Sequence, residues 1–173
     1  MFGFSLIGLL VIHVFHDKTP IQFFSEGVTL NTQLLRGVAF GAAASLSAIF
    51  IIQLPWFSDS MDFFTELIKE LSPGKRHILF YSLCAGIGEE ILFRGAIQPF
   101  LGIWITSVIF IFIHGYLNPF NRALMIYGLF MVIVSAGLGY LYDLLGIYAA
   151  MTAHFLFDVI MFSFLKYRAT NQS

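Results

Sequence analysis

Between His77 and Gln98 the chain carries an apolar run long enough to cross a lipid bilayer, and inside that run lie Glu89, Glu90 and Arg94. A spanning helix needs about 20 mostly apolar residues. At its centre an Asp, Lys or Arg costs about 2.5–3.5 kcal/mol to insert, and each Leu, Ile or Phe returns about 0.3–0.6 kcal/mol. With Glu taken as similar to Asp, three charges cost roughly 8–10 kcal/mol. The apolar residues of the run (Ile78, Leu79, Phe80, Leu83, Ile87, Ile91, Leu92, Phe93 and Ile97) return roughly 3–5 kcal/mol. These charges therefore do not face lipid. They pair with one another or face a hydrated cavity inside a bundle.

The rest of the chain supplies such a bundle. Of 173 residues, 58% are hydrophobic and 11% charged, against about 25% charged in a soluble domain. Apolar stretches at Phe2–Phe15, Leu34–Trp56, His77–Gln98, Leu101–Tyr116, Ala123–Leu144 and Ile147–Leu165 read as spans, the first short or partial. The expected fold is all-α: a polytopic transmembrane helical bundle of about six spans with short antiparallel links. In the second span Gly37, Gly41, Ala42, Ala43, Ala44, Ser45, Ser47 and Ala48 are small, which lets membrane helices approach closely. Phe57–Arg76 is amphipathic and reads as a helix at the membrane interface. The chain divides into residues 1–76 (N-terminal spans and interfacial helix), a core over 77–166 and a polar tail over 167–173.

Charge narrows the partners. A net charge of −1 argues against nucleic acid, and the single cysteine, Cys84, excludes an internal disulfide and reads as a packing residue. The N-terminal run has no basic segment before it and no small-residue cleavage site, so a cleaved signal peptide is not expected. With six spans, Lys69, Lys75, Arg76, Arg122, Lys166 and Arg168 fall on one side and Lys18 and Arg36 on the other, which puts both termini in the cytoplasm.

Spacing separates the buried charges. Glu90 and Arg94 are four apart, share a helix face and form an ion pair. Glu89 points about 100° away and has no partner in its own helix, the setting of a general base. The bland alternative is one packing network of all three. Two further spans carry histidines: His114 closes Phe110-Ile111-Phe112-Ile113-His114, and His154 lies four residues before Asp158, on its face. Ionisable groups on three apolar helices favour a common internal site. His13, His16 and His77 lie at span ends and read as interfacial. Asp143 reads as a cap or loop residue. Tyr81, Tyr127, Tyr140, Tyr142, Tyr148, Trp56 and Trp104 read as packing or belt residues.

Glu89-Glu90-x-x-x-Arg94, Phe110-x-x-x-His114 and His154-x-x-x-Asp158, in that order on successive helices, resemble the three motifs of the CPBP family of intramembrane proteases. These are the type II CAAX prenyl endopeptidases and their bacteriocin-processing and immunity relatives. The resemblance covers about half the chain. It implies an endopeptidase without a covalent acyl intermediate, acting on a peptide or membrane-protein substrate within the bilayer. Glu89 and His114 would activate water, His154 and the residue at Asp158 would stabilise the oxyanion, and Arg94 would hold Glu90. An ionised Asp cannot donate to an oxyanion as Asn can, so Asp158 would be protonated or would orient His154. By donor type Glu89, His114, His154 and Asp158 are also acceptable zinc ligands; the metal-free reading is favoured, because Glu-based water activation accounts for the motifs. The rival reading is a non-catalytic immunity or scaffold protein, or a small transporter relaying protons through Glu89 and Glu90, although the chain lacks the internal repeat of common transporter folds. In a bacterial source the expected location is the plasma membrane.

Overall fold

In the computed structural model, residues 2–57, 65, 68–70 and 73–171 are described. Most of the interfacial helix expected over Phe57–Arg76 lies outside the described residues. The elements are α-helices α1 (Phe2–Phe15), α2 (Pro20–Ser25), α3 (Leu30–Ile52), α4 (Lys75–Glu90), α5 (Gln98–Ile113), α6 (Arg122–Leu145) and α7 (Ile147–Asn171). A π-helical segment, Ile91–Ile97, joins α4 to α5, and a 3-10 turn covers Pro55–Phe57.

Among the described residues the fold is an all-helical bundle, and four helical runs there are long and apolar enough to cross a membrane: 30–52, 75–113, 122–145 and 147–171. α3 and α4 turn mostly small and polar side chains inward and large apolar ones outward. In α4, Ile78, Ser82, Ala85, Gly86, Glu89 and Glu90 are buried at helical spacing, while Leu79, Phe80, Leu83 and Ile87 are exposed. That pattern suits a lipid solvent. α1 has 14 residues, about 21 Å of helix, short of the roughly 30 Å hydrocarbon core.

The 39-residue run over 75–113 would reach about 58 Å if straight, twice the bilayer core. It is not straight. The sequence suggests a stop at Pro99, but Pro99 sits in the first turn of α5, where its missing N–H costs nothing. The chain breaks instead at Gly102, whose φ of 74° and ψ of 168° are open essentially to glycine alone. There α5 folds back on the bundle, so the third and fourth expected spans are the two arms of one broken run.

The expected close packing of the second span is present. A Cβ on Gly37 would lie 2.6 Å from the Ala149 carbonyl oxygen, and one on Gly41 would lie 2.6 Å from that of Ala153. α3 and α7 thus meet nearly backbone to backbone, through Gly on one helix and Ala on the other. With lipid tails as apolar as the side chains, such packing holds membrane helices together. Local signals set several ends. Thr19 and Gln22 form a capping box on α2 with Pro20 following. The Asn121 side chain accepts from the Leu124 N–H at the start of α6.

Candidate active site

The site is assembled from α4, the π segment, α5 and α7. A straight helix would hold residues 89 and 114 about 37 Å apart. Because Gly102 lies nearly midway between them, the reversal there brings His114 Nε2 to 3.6 Å from Glu89 Oε2. From α7, His154 Nε2 lies 4.0 Å from the same Glu89 oxygen and 3.7 Å from Asp158 Oδ2. Glu89, His114, His154 and Asp158 therefore surround one point, and all four line a single cavity of about 240 Å³. Its other walls are mostly apolar, small at Gly41, Ala44, Ala85 and Ala153 and aromatic at Phe40, Phe110, Phe157 and Phe162. Glu89 and His154 are buried, and the His114 side chain is 34% exposed.

Behind this front lies a polar network. Arg94 Nε donates to Glu90 Oε2 at 3.0 Å, and both side chains are fully buried. The other Glu90 oxygen, Oε1, lies 2.8 Å from His154 Nδ1. Arg94 Nη2 donates to Ser135 Oγ on α6 at 2.8 Å. The Arg94 guanidinium also stands over the Phe110 ring, 5.5 Å from its centroid. Phe110 packs edge-on to Phe93 and His154, with its ring 4.4 Å from that of His114. One aromatic ring thus touches all three sequence motifs.

The acceptors decide the imidazole tautomers. His114 Nδ1 lies 2.6 Å from the Phe110 carbonyl oxygen. A carbonyl only accepts, so Nδ1 carries the proton and Nε2 is left facing Glu89. The four-residue spacing of Phe-x-x-x-His creates this bond, because it puts the carbonyl one turn below the ring. A Glu90 carboxylate already paired with Arg94 likewise accepts a hydrogen bond from His154 Nδ1–H. An imidazole so held offers a second proton from Nε2 only as imidazolium.

The expected pair of Glu90 and Arg94 is there, and Glu89 finds its neighbours on other helices. Asp143 is not among the residues lining the cavity; its Oδ1 accepts from Gln98 Nε2 at 2.8 Å. His16, read as interfacial, bonds through Nε2 to the Ala96 carbonyl at 3.0 Å, in the π segment. His77 Nδ1 accepts from the Gly74 N–H, capping α4. Tyr81 lines the cavity and so has a role beyond the membrane belt. Ser135 and Tyr116 were not anticipated. The only trace of Ser135 in the sequence is a small polar residue in an apolar run. Glu89, His114, His154 and Asp158 are zinc donors by type, but among the described residues no three such side chains are arranged to hold a metal ion.

Comparison with known proteins follows the same residues. The family model of type II CAAX prenyl endopeptidases, Rce1-like, matches residues 75–160, which contain all three motifs and the Gly102 reversal. The uncharacterized protein YpbD of Bacillus subtilis (strain 168) is 36% identical over 86 residues, covering 49% of this chain and 43% of that one. The match thus spans less than half the length of that relative. No solved structure matches. Through residues 75–160 the chain belongs to the Rce1-like family of type II CAAX prenyl endopeptidases.

Proposed function

We propose that this protein is an intramembrane endopeptidase that hydrolyses a peptide bond with water activated by Glu89 and His114. The observation that carries the reading is the convergence of Glu89 Oε2 with His114 Nε2 at 3.6 Å and His154 Nε2 at 4.0 Å on one cavity. A water about 2.8 Å from Glu89 Oε2 and from His114 Nε2 fits beside a pair at that separation. As its oxygen attacks the scissile carbonyl, Glu89 takes its proton, and the C=O becomes an oxyanion. His154, as imidazolium, donates Nε2–H to that oxyanion, with Glu90 and Arg94 holding its ring. Collapse of the tetrahedral adduct breaks the C–N bond, and the proton held on Glu89 passes to the leaving amine. Asp158, 3.7 Å from His154 Nε2, orients that ring. Within a water-restricted cavity each of these interactions is stronger than in bulk water. No step requires a metal.

The substrate class is a peptide or a membrane-protein segment. The proposed location is a bacterial plasma membrane with both termini in the cytoplasm, supported by the Lys and Arg distribution. The test of the catalytic reading is a Glu89→Gln variant beside wild type in detergent, assayed on a proteome-derived peptide library. Cleavage should fall by about 100- to 10,000-fold, the range for loss of a general base, with the melting transition retained. Equal cleavage by the variant would overturn the assignment.

A further inference from the structure

A peptide drawn into a cavity within the bilayer brings carbonyl oxygens that need hydrogen-bond donors, because no bulk water is there to serve them. Helix walls give none from their backbone, since each N–H is already bonded one turn back. The donors must be side chains. Ser45 Oγ and Ser107 Oγ are spent on their own helices, donating to the Gly41 and Ile103 carbonyls. Thr65, Ser82 and Thr106 carry buried hydroxyls without a partner, but none of them lines the main cavity. Ser135 is different: it is buried at 2% exposure, lines the cavity and is held by Arg94.

A guanidinium only donates, so in the 2.8 Å bond from Arg94 Nη2 the Ser135 oxygen is the acceptor. Its own hydrogen has no acceptor among the described residues, not even the carbonyl one turn back in α6. Accepting from a cation also polarises the O–H and makes it a stronger donor. Of the α6 residues that line the cavity, Met131, Val134 and Leu138 are apolar and Ser135 alone is polar. We propose that Ser135 is a substrate-binding residue whose Oγ–H donates to a main-chain carbonyl oxygen of the bound peptide, one other than the scissile carbonyl. This inference rests on the endopeptidase reading, in which the scissile oxygen belongs to His154 Nε2. His154, Glu90, Arg94 and Ser135 form one hydrogen-bonded chain, and both of its ends line the cavity. The two end donors, fixed in one frame, set the register of the peptide against Glu89. A bond to the main chain reads extended backbone and is indifferent to the side chains beside it.

The test uses the full chain in detergent and the fastest-cleaved peptide of the proteome-derived library. Ser135→Ala and Ser135→Cys are assayed beside wild type, below their melting transitions. Cysteine is close to serine in size and only a weak donor, so it serves where the alanine variant fails to fold. KM should rise roughly 3- to 10-fold in both, the worth of one hydrogen bond, with kcat nearly unchanged. A bond made equally in the ground and transition states acts on KM alone. If Ser135 did no more than hold Arg94, its loss would reach His154 through Glu90 and lower kcat. A lower kcat at unchanged KM, or no change in either, therefore overturns the proposal. A second arm alters the peptide instead of the protein. Each carbonyl is replaced in turn by C=S, a poorer acceptor. One non-scissile position should raise KM with wild type and have no further effect with Ser135→Ala. If wild type shows no such position, the proposal falls even though Glu89-dependent cleavage stands. A library without any Glu89-dependent cleavage overturns the endopeptidase reading itself, and the role of Ser135 with it.

Discussion

At the scale of single residues, the informative group is Glu90 rather than Glu89. Glu90 is fully buried and divides its two oxygens between Arg94 and His154. Removing one member of such a pair strands a charge, at about 3–5 kcal/mol. Arg94→Ala should therefore lower stability to unfolding in detergent sharply, and Ser135→Ala, which strands Arg94 Nη2, should lower it by about 1–3 kcal/mol. An unchanged midpoint for Ser135→Ala would show that the bond to Arg94 carries no weight. The acceptor geometry also makes a spectroscopic prediction. With histidine labelled by 15N, His114 should titrate from a form protonated on Nδ1, and His154 should never lose its Nδ1 proton while Glu90 is present. A neutral His114 carrying its proton on Nε2 would contradict the role given to Phe110. The Glu90–Arg94 pair is legible in the sequence because i,i+4 spacing is local. The bonds to His154 and Ser135 are not, since each crosses between helices and no spacing rule reaches that far.

At the scale of elements, the decisive features are one break and one close approach. Gly102→Ala puts a Cβ into a conformation that costs about 1–3 kcal/mol, though nothing within 4 Å would clash with it. Its effect should fall on catalysis more than on packing, because any straightening of the run withdraws His114 from Glu89. Lower kcat with a modest loss of stability, compared with Gly115→Ala as a control at φ of +78°, is the expected outcome. Gly41→Leu should behave in the opposite way, unfolding the bundle by driving α3 from α7, whereas Ser47→Leu on the exposed face of α3 should be tolerated. Melting curves of the two variants decide it. A proline is the usual marker of a helix end, and here Pro99 pointed three residues early. The π segment was equally hidden, for its residues Ile91–Ile97 read as ordinary spanning helix. It is stabilised from outside, by His16 on the Ala96 carbonyl and by Ile12 and Phe23 close against Gly95.

At the scale of the whole molecule, the question is what the polar centre needs beyond the chain. On the metal-free reading, dialysis against a chelator should leave library cleavage unchanged, and purified protein should carry no stoichiometric zinc. Zinc near one per chain that tracks activity would replace Glu89-based water activation with metal chemistry. The sequence by itself determined the solvent and the parts. Long apolar runs with few charges demand lipid, and charges too costly to face that lipid demand an interior site. The order and spacing of Glu89, Glu90, Arg94, His114, His154 and Asp158 support the chemistry proposed for it. What only the tertiary structure decided is which of these groups meet. The reversal at Gly102 and the Gly–Ala seam between α3 and α7 bring distant helices within hydrogen-bonding reach. The reversal depends on a backbone dihedral that leaves no periodic signal in the sequence; the seam's small residues are legible in α3, but not the helix they meet.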